Sequence, residues 1–379
     1  MSLKRFLPRR LKHAFHDKVV MPRVQEYNAR RAEAVRQRDA ERVPHWQRSE
    51  RPGSKEPIRI GVAGAGQYAQ HHLKALDAYD NVEIVALLTR GGPSGPETAA
   101  AFSIPTLLTD LDAFAALDVD CWLVVVGAPA VFDVSAKLLA TGKPVLLEKP
   151  PGVSTAETEE LVRIAGAAGT WGMVGLNRRF YSIVEHGLAA LGDLGAIRGA
   201  IVEVPQRITS DRQSGRLTDW DYDNFYVRNS IHGIDLIRYV LGDPVRVHSR
   251  TWPNADFGNR GASYAALLEY ANGVFGEVMD LWDTPDNTRL SVIAEAGRLD
   301  LEPPRRGWVE GKKGRYAIPV DPVDEEFRTG IWAQDLHFVE AVRSGRPPGL
   351  PAATLPDALG TMRLIEAILA DSLASERSA

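Results

Sequence analysis

The stretch "GVAGAGQYA", residues 61–69, decides the fold. It follows the spacing G-x-G-x-x-[G/A] through Gly64, Gly66 and Ala69. Gly64 permits a tight turn, Gly66 lets the backbone approach a pyrophosphate, and Ala69 is small enough for close helix–sheet packing. The apolar "IRIGVAG" that runs into it reads as a strand, and "QYAQHHLKALDAY" behind it as a helix. That is the context such a turn needs. A pyrophosphate would meet the helix N-terminus at Gln67 and Tyr68, where free N–H groups and the helix dipole favour anions.

Outward from this turn, strands and helices alternate. "VEIVALLT", "VDCWLVVVGA" and "KPVLLE" are strand-like, and "AVFDVSAKLLATG" is helical. Such alternation calls for a parallel sheet covered on both faces, so residues 58–176 fit a Rossmann-type dinucleotide-binding domain. The second strand ends at Thr89 and Arg90. The acid that would hold the ribose hydroxyls of NAD is absent there, and Arg90 could pair with a 2′-phosphate instead. The cofactor reading is therefore NADP or NAD, leaning to NADP. A solvated loop arginine is the alternative for Arg90.

The fifth strand delivers "VLLEKPPGVS", residues 145–154. Ligands bind at the carboxyl ends of strands in open parallel sheets, so Glu148 and Lys149 reach that edge beside the cofactor cleft. A lysine held there can exchange a proton with a substrate hydroxyl, and burial beside other cations would lower its pKa into a useful range. From these residues alone, a strand-end salt bridge explains the pair equally well.

Residues 177–379 change rhythm. Strand-like runs joined by turn signals predict a mostly antiparallel open sheet, interrupted by the helical "IHGIDLIRYVLG" and closed by helices near 331–344 and 355–374. The aromatics of "TDWDYDNFYVR" read either as a sugar-stacking wall or as plain packing. Residues 1–57 form a basic helical arm and linker. The first 50 hold 13 Lys+Arg and 6 Asp+Glu in a chain of net charge −4. Leu3, Leu7, Leu11 and Phe15 make an apolar stripe in that arm, which suits a subunit interface or peripheral contact of residues 1–20 with an anionic membrane.

Gly64–Ala69, "GKPVLLEKP", "VGLNRRF" (residues 174–180) and "HGIDLIRYVLG" (residues 232–242), in this order, together resemble the Gfo/Idh/MocA family of sugar and cyclitol oxidoreductases over residues 58–374. The resemblance implies a Rossmann domain followed by an α+β domain whose open sheet serves substrate and subunit contacts. It implies a bound nicotinamide nucleotide, a sugar-like substrate and a homo-oligomer, dimer or tetramer. It makes Lys149 the catalytic lysine and His232 its partner. It places Asn177, Arg178 and Asp235 near the substrate, Ala128 and Pro129 beside the cofactor, and a cis bond between Lys149 and Pro150. Without the family, His232 reads as a cap or packed side chain.

Three departures stand out. Arg228 occupies the place of an aspartate one helical turn before His232, which would depress the histidine and attract an anionic or nucleotide-linked substrate. Asp133 stands where a histidine is usual after the fourth strand, and residues 1–50 have no counterpart. The first and third leave room for a family member that binds cofactor without turnover and serves as a scaffold or regulator.

Cys121, the single cysteine, sits in an apolar run and excludes an intrachain disulfide. No third ligand accompanies the histidine pairs His71/His72 or His13/His16, so no metal site is expected. The acidic net charge argues against nucleic acid. The lack of a long apolar run argues against a membrane span, and a cytoplasmic location is expected.

Overall fold

The computed structural model describes residues 56–376 apart from 216, 254–261 and 285–286. The basic arm, with its stripe and its two docking alternatives, lies outside the described residues.

The first unit runs β1 (Ile58–Ala63), α1 (Gln67–Asp77), β2 (Val82–Leu88), α2 (Ser94–Ala101), β3 (Thr106–Leu108), α3 (Leu111–Ala115), β4 (Cys121–Val124), α4 (Val131–Leu139), β5 (Val145–Leu147), α5 (Thr155–Ala167) and β6 (Gly172–Val174). β1 to β6 are parallel neighbours in the order β6-β5-β4-β1-β2-β3. β4, β5 and β6 are buried at every residue, as strands covered on both faces must be. The order reverses between β1 and β4, and the crevice at such a reversal is where ligands bind. This is a Rossmann-type sheet.

The second unit holds α6 (Ser182–Leu191), β7 (Ile197–Gln206), α7 (Ile208–Gln213), α8 (Asp219–Asp223), a π-helical turn (Tyr226–Ser230), α9 (Ile231–Leu241), β8 (Arg246–Pro253), β9 (Ala262–Glu269), β10 (Phe275–Trp282), β11 (Arg289–Ala294), β12 (Gly297–Glu302), β13 (Arg306–Gly311) and β14 (Gly314–Ala317). Its eight strands are ordered β14-β13-β12-β11-β7-β10-β9-β8. All pairs are antiparallel except β7 with β10. β10 alternates buried and half-buried residues, the mark of one covered face. α9 lies on that face so closely that a Cβ on Gly233 would stand 2.2 Å from Val204 Cγ2.

α10 (Val323–Glu326), α11 (Ile331–Ser344), β15 (Ala353–Thr354) and α12 (Leu355–Glu376) return the chain to the first sheet. β15 adds antiparallel to β6, α11 packs on α1, and α12 packs on both α5 and β8. A buried ion cluster ties these layers. Arg179 bonds both oxygens of Asp235 at 2.5 and 2.7 Å and meets Asp357 of α12 at 2.7 Å. Among the described residues no helix is long and apolar enough to cross a membrane.

Candidate active site

The glycine turn has the shape a dinucleotide needs. Gly64 has φ +117°, and a Cβ on it would lie 2.2 Å from the Val125 carbonyl oxygen. Gly66 precedes α1 with no side-chain cap, and nothing lies within 4 Å of where its Cβ would be. The first N–H groups of α1 thus have no side-chain cap, and no acid lies in its first turn. That is a fitting cradle for a diphosphate. Ala69 is fully buried against the sheet. Tyr68 is held as the neutral phenol by burial and by the nearby charge of Glu148. Thr89 and Arg90 lie at the end of β2, Thr89 half-buried and Arg90 exposed. Ala128 and Pro129 form a single 3-10 turn beyond β4.

Glu148 and Lys149 leave β5 at the same edge. The Lys149–Pro150 bond is cis. Lys149 Nζ donates to the Arg228 carbonyl at 2.8 Å. Burial pushes the lysine down to about 8; Glu148 opposes this, and the charges of Arg228 and Arg178 add to it. A value near neutrality is what an acid–base group needs.

His232 opens α9 in a buried position, and its Nδ1 has no hydrogen-bond partner among the described residues. Burial and then Arg178, Lys149 and Arg328 hold it well below its ordinary pKa. It is a neutral imidazole beside a titrating amine.

Glu148 is anchored in a way that sequence reading missed. His72 Nε2 lies 3.3 Å from Glu148 Oε1, and its Nδ1 lies 2.9 Å from Asp335 Oδ2. All three are buried. Burial works against an imidazolium here, but the Asp335 charge and hydrogen bond, with those of Glu148, raise His72 to about 10. A protonated histidine between two carboxylates therefore joins α1, β5 and α11. The signal was available in part: His72 sits one turn beyond Ala69. Its two acids are 76 and 263 residues away in sequence, beyond any local pattern.

Not every expected site residue faces this cleft. Asp235 is engaged by Arg179 and by the Thr361 hydroxyl at 3.0 Å, at 1% exposure. Asn177 is buried and donates its amide to the Thr329 carbonyl at 3.0 Å. Arg228 turns its guanidinium to Asp221 at 2.6 Å and offers the site its carbonyl. Its charge is taken by Asp221, and it sits in the π-helical turn Tyr226–Ser230. The depression of His232 comes from burial and other cations. Phe225 and Tyr226 pack on Trp282 in a small core with Ile208 and Leu217, so of the two readings of this aromatic run these two rings take the packing one.

Residues 58–176 match the model of the oxidoreductase family with NAD-binding Rossmann fold, and residues 187–300 match that of the GFO/IDH/MocA C-terminal domain. The bovine (Bos taurus) trans-1,2-dihydrobenzene-1,2-diol dehydrogenase is 30% identical over 72% of this chain and 84% of its own. The chain belongs to the Gfo/Idh/MocA oxidoreductase family. A 4-carboxy-2-hydroxymuconate-6-semialdehyde dehydrogenase from Sphingobium is 25% identical over 79% of this chain and 95% of its own length. An Agrobacterium radiobacter oxidoreductase solved with NAD+, L-tartaric acid and magnesium shares the fold at TM-score 0.72 and 18% identity, covering 83% of this chain and 96% of that one. Further relatives are named inositol 2-dehydrogenases.

Proposed function

We propose that this enzyme oxidises or reduces a carbinol carbon of a polyol- or sugar-like substrate, with Lys149 as the proton donor or acceptor and His232 as its partner. The observation that carries the reading is the Lys149 amine, brought to about pKa 8 at the end of β5, one strand from the reversal point of the sheet. The dinucleotide, when bound, supplies or accepts the hydride.

The chain's own residues do the rest. The N–H groups after Gly66 receive the diphosphate, and Gly64 lets them approach it. Lys149, neutral, takes the hydroxyl proton as the substrate carbon is oxidised; protonated, it returns that proton in the reverse direction. The Arg228 carbonyl holds the amine in place while it waits. His232, neutral, offers a ring nitrogen to the reacting hydroxyl or its neighbour. Glu148, clamped by His72, keeps a negative charge beside the amine and prevents its pKa from falling further.

Thr89 and Arg90 would lie against the adenosine ribose. A base in place of the usual acid favours a 2′-phosphate, so the lean is to NADP over NAD. The direct test is turnover of a polyol panel, beginning with myo-inositol, with each nucleotide. Equal turnover by wild type and Lys149→Met would end the catalytic reading.

A further inference from the structure

We propose that Arg178 and Arg328 form an anion-binding subsite beside Lys149 and His232, and that the substrate carries a carboxylate or phosphate there. The inference rests on the hydride-transfer reading above and names the substrate class of that same site.

Two separate pieces of chain deliver the two arginines. Arg178 lies in the 3-10 turn Asn177–Phe180 that leaves β6 at the carboxyl edge of the first sheet. It is half-buried, and its Nη1 donates to Thr288 Oγ1 at 2.8 Å. Arg328 lies between α10 and α11 on an exposed stretch that is pinned on both sides. Asp324 accepts from the Ser182 N–H and hydroxyl at 2.8 and 2.7 Å and from the Gly330 N–H at 3.0 Å. Asn177 grips the Thr329 carbonyl. Gly330 has φ +75°, and a Cβ there would stand 2.4 Å from the Asn177 carbonyl oxygen. The same turn that carries Arg178 thus holds the loop that carries Arg328.

Three acids on the neighbouring elements are committed elsewhere. Glu148 is bonded by His72, Asp221 by Arg228, and Asp324 by Ser182 and Gly330. Arg178 and Arg328 have no carboxylate partner among the described residues. β5 and β6 pair with Leu147 opposite Val174, so Lys149 and the turn carrying Arg178 leave the sheet on adjacent strands at one edge, and the charges of Arg178, Lys149 and Arg328 all act on the buried His232. Two guanidinium groups carried on touching segments, with no carboxylate paired to either, favour an anion, which they bind through charge-assisted, often bidentate hydrogen bonds. Arg228, which the sequence pattern suggested for this task, already has its acid.

The experiment uses the full chain loaded with NAD. Calorimetric affinities are measured for D-glucuronate and glucose 6-phosphate against D-glucose and myo-inositol, in wild type, Arg328→Gln and Arg178→Lys. The expected result is tighter binding of the acids by wild type, weakened ~10- to 100-fold in Arg328→Gln, with the neutral polyols and NAD unaffected. Arg328 is exposed, so its variant folds even where Arg178→Lys does not. An equal loss of NAD affinity in Arg328→Gln would assign the arginines to the cofactor diphosphate and overturn the proposal. Wild type that binds neutral polyols as well as acids, or no acid at all, overturns the subsite alone. Failure of wild type to bind NAD overturns the functional reading and this proposal with it.

Discussion

Lys149 Nζ donates to the carbonyl oxygen of Arg228 at 2.8 Å, so the amine at the end of the Rossmann strand β5 is positioned by the π-helical turn of the second unit. Proton transfer should therefore depend on both units. Lys149→Met is expected to lower turnover ~10²–10⁴-fold while leaving dinucleotide affinity nearly unchanged. Steady-state rates and a fluorescence titration of the nucleotide check this together.

The pH dependence follows from the same group. Substrate oxidation needs the neutral amine, so kcat/KM in that direction should rise with pH through about 8 and then level off. In the reductive direction the protonated amine is needed, and the same limb should fall above about 8. A profile flat between pH 7 and 9, roughly a unit on each side of that value, would disconnect Lys149 from the rate.

His72 makes a stability prediction. Its folded pKa is raised to about 10 from an unfolded value near 6.5. The stabilisation is fully present below the unfolded value and is lost as pH rises through about 10. Between the unfolded value and about pH 8, where Lys149 begins to titrate with the opposite sign, wild type should therefore lose unfolding free energy as pH rises, whereas His72→Gln, weaker at neutral pH, should change little. Urea unfolding at a series of pH values measures both curves.

Arg90 is the proposed partner of a 2′-phosphate. Arg90→Ala should weaken NADP much more than NAD, because only NADP presents a phosphate to the guanidinium. Matching losses for the two nucleotides would leave Arg90 with stacking alone.

Asp235 tests the boundary between site and scaffold. Removing Asp235 takes two charge-assisted hydrogen bonds from the buried Arg179 and leaves it Asp357 alone, so the cost falls toward the lower end of the about 3–5 kcal/mol of a broken buried pair. Asp235→Ala should cost that much in unfolding free energy, with dinucleotide affinity retained in the folded fraction. A variant of normal stability and raised KM would return Asp235 to the substrate.

The fold was legible because its decisive signals are local. The glycine spacing after an apolar strand, the alternation that follows, and the Glu-Lys-Pro run at a strand end are each contained within a few residues. The strand-rich second half was legible from turn signals, and the closing helices from their period. What escaped reading was non-local or depended on an irregular helix. The His72–Asp335 contact spans most of the chain. The short helices at 94–101 and 208–213 carry few buried residues, hence little periodicity. The π-helical turn at 226–230 cannot be told from an α-turn by spacing, and the pairing of Arg228 with Asp221 is not marked by any local pattern. Arg328 sits in an exposed loop with nothing in its neighbours to mark it.

The parallel pairing of β7 with β10 has a kinetic consequence. Gly199 meets Phe275 and Gln206 meets Trp282, and these two strands lie inside the eight-stranded sheet, away from both edges. Parallel partners cannot be joined by a hairpin. The connection between them contains the π-helical turn, His232 and the carbonyl that receives Lys149. Closing so long a loop costs chain entropy before any pairing repays it, which slows the folding of such topologies. The geometry around Lys149 is completed only when this crossover has closed. On refolding from denaturant, catalytic competence should return no sooner than the central strands of the second sheet acquire hydrogen-exchange protection.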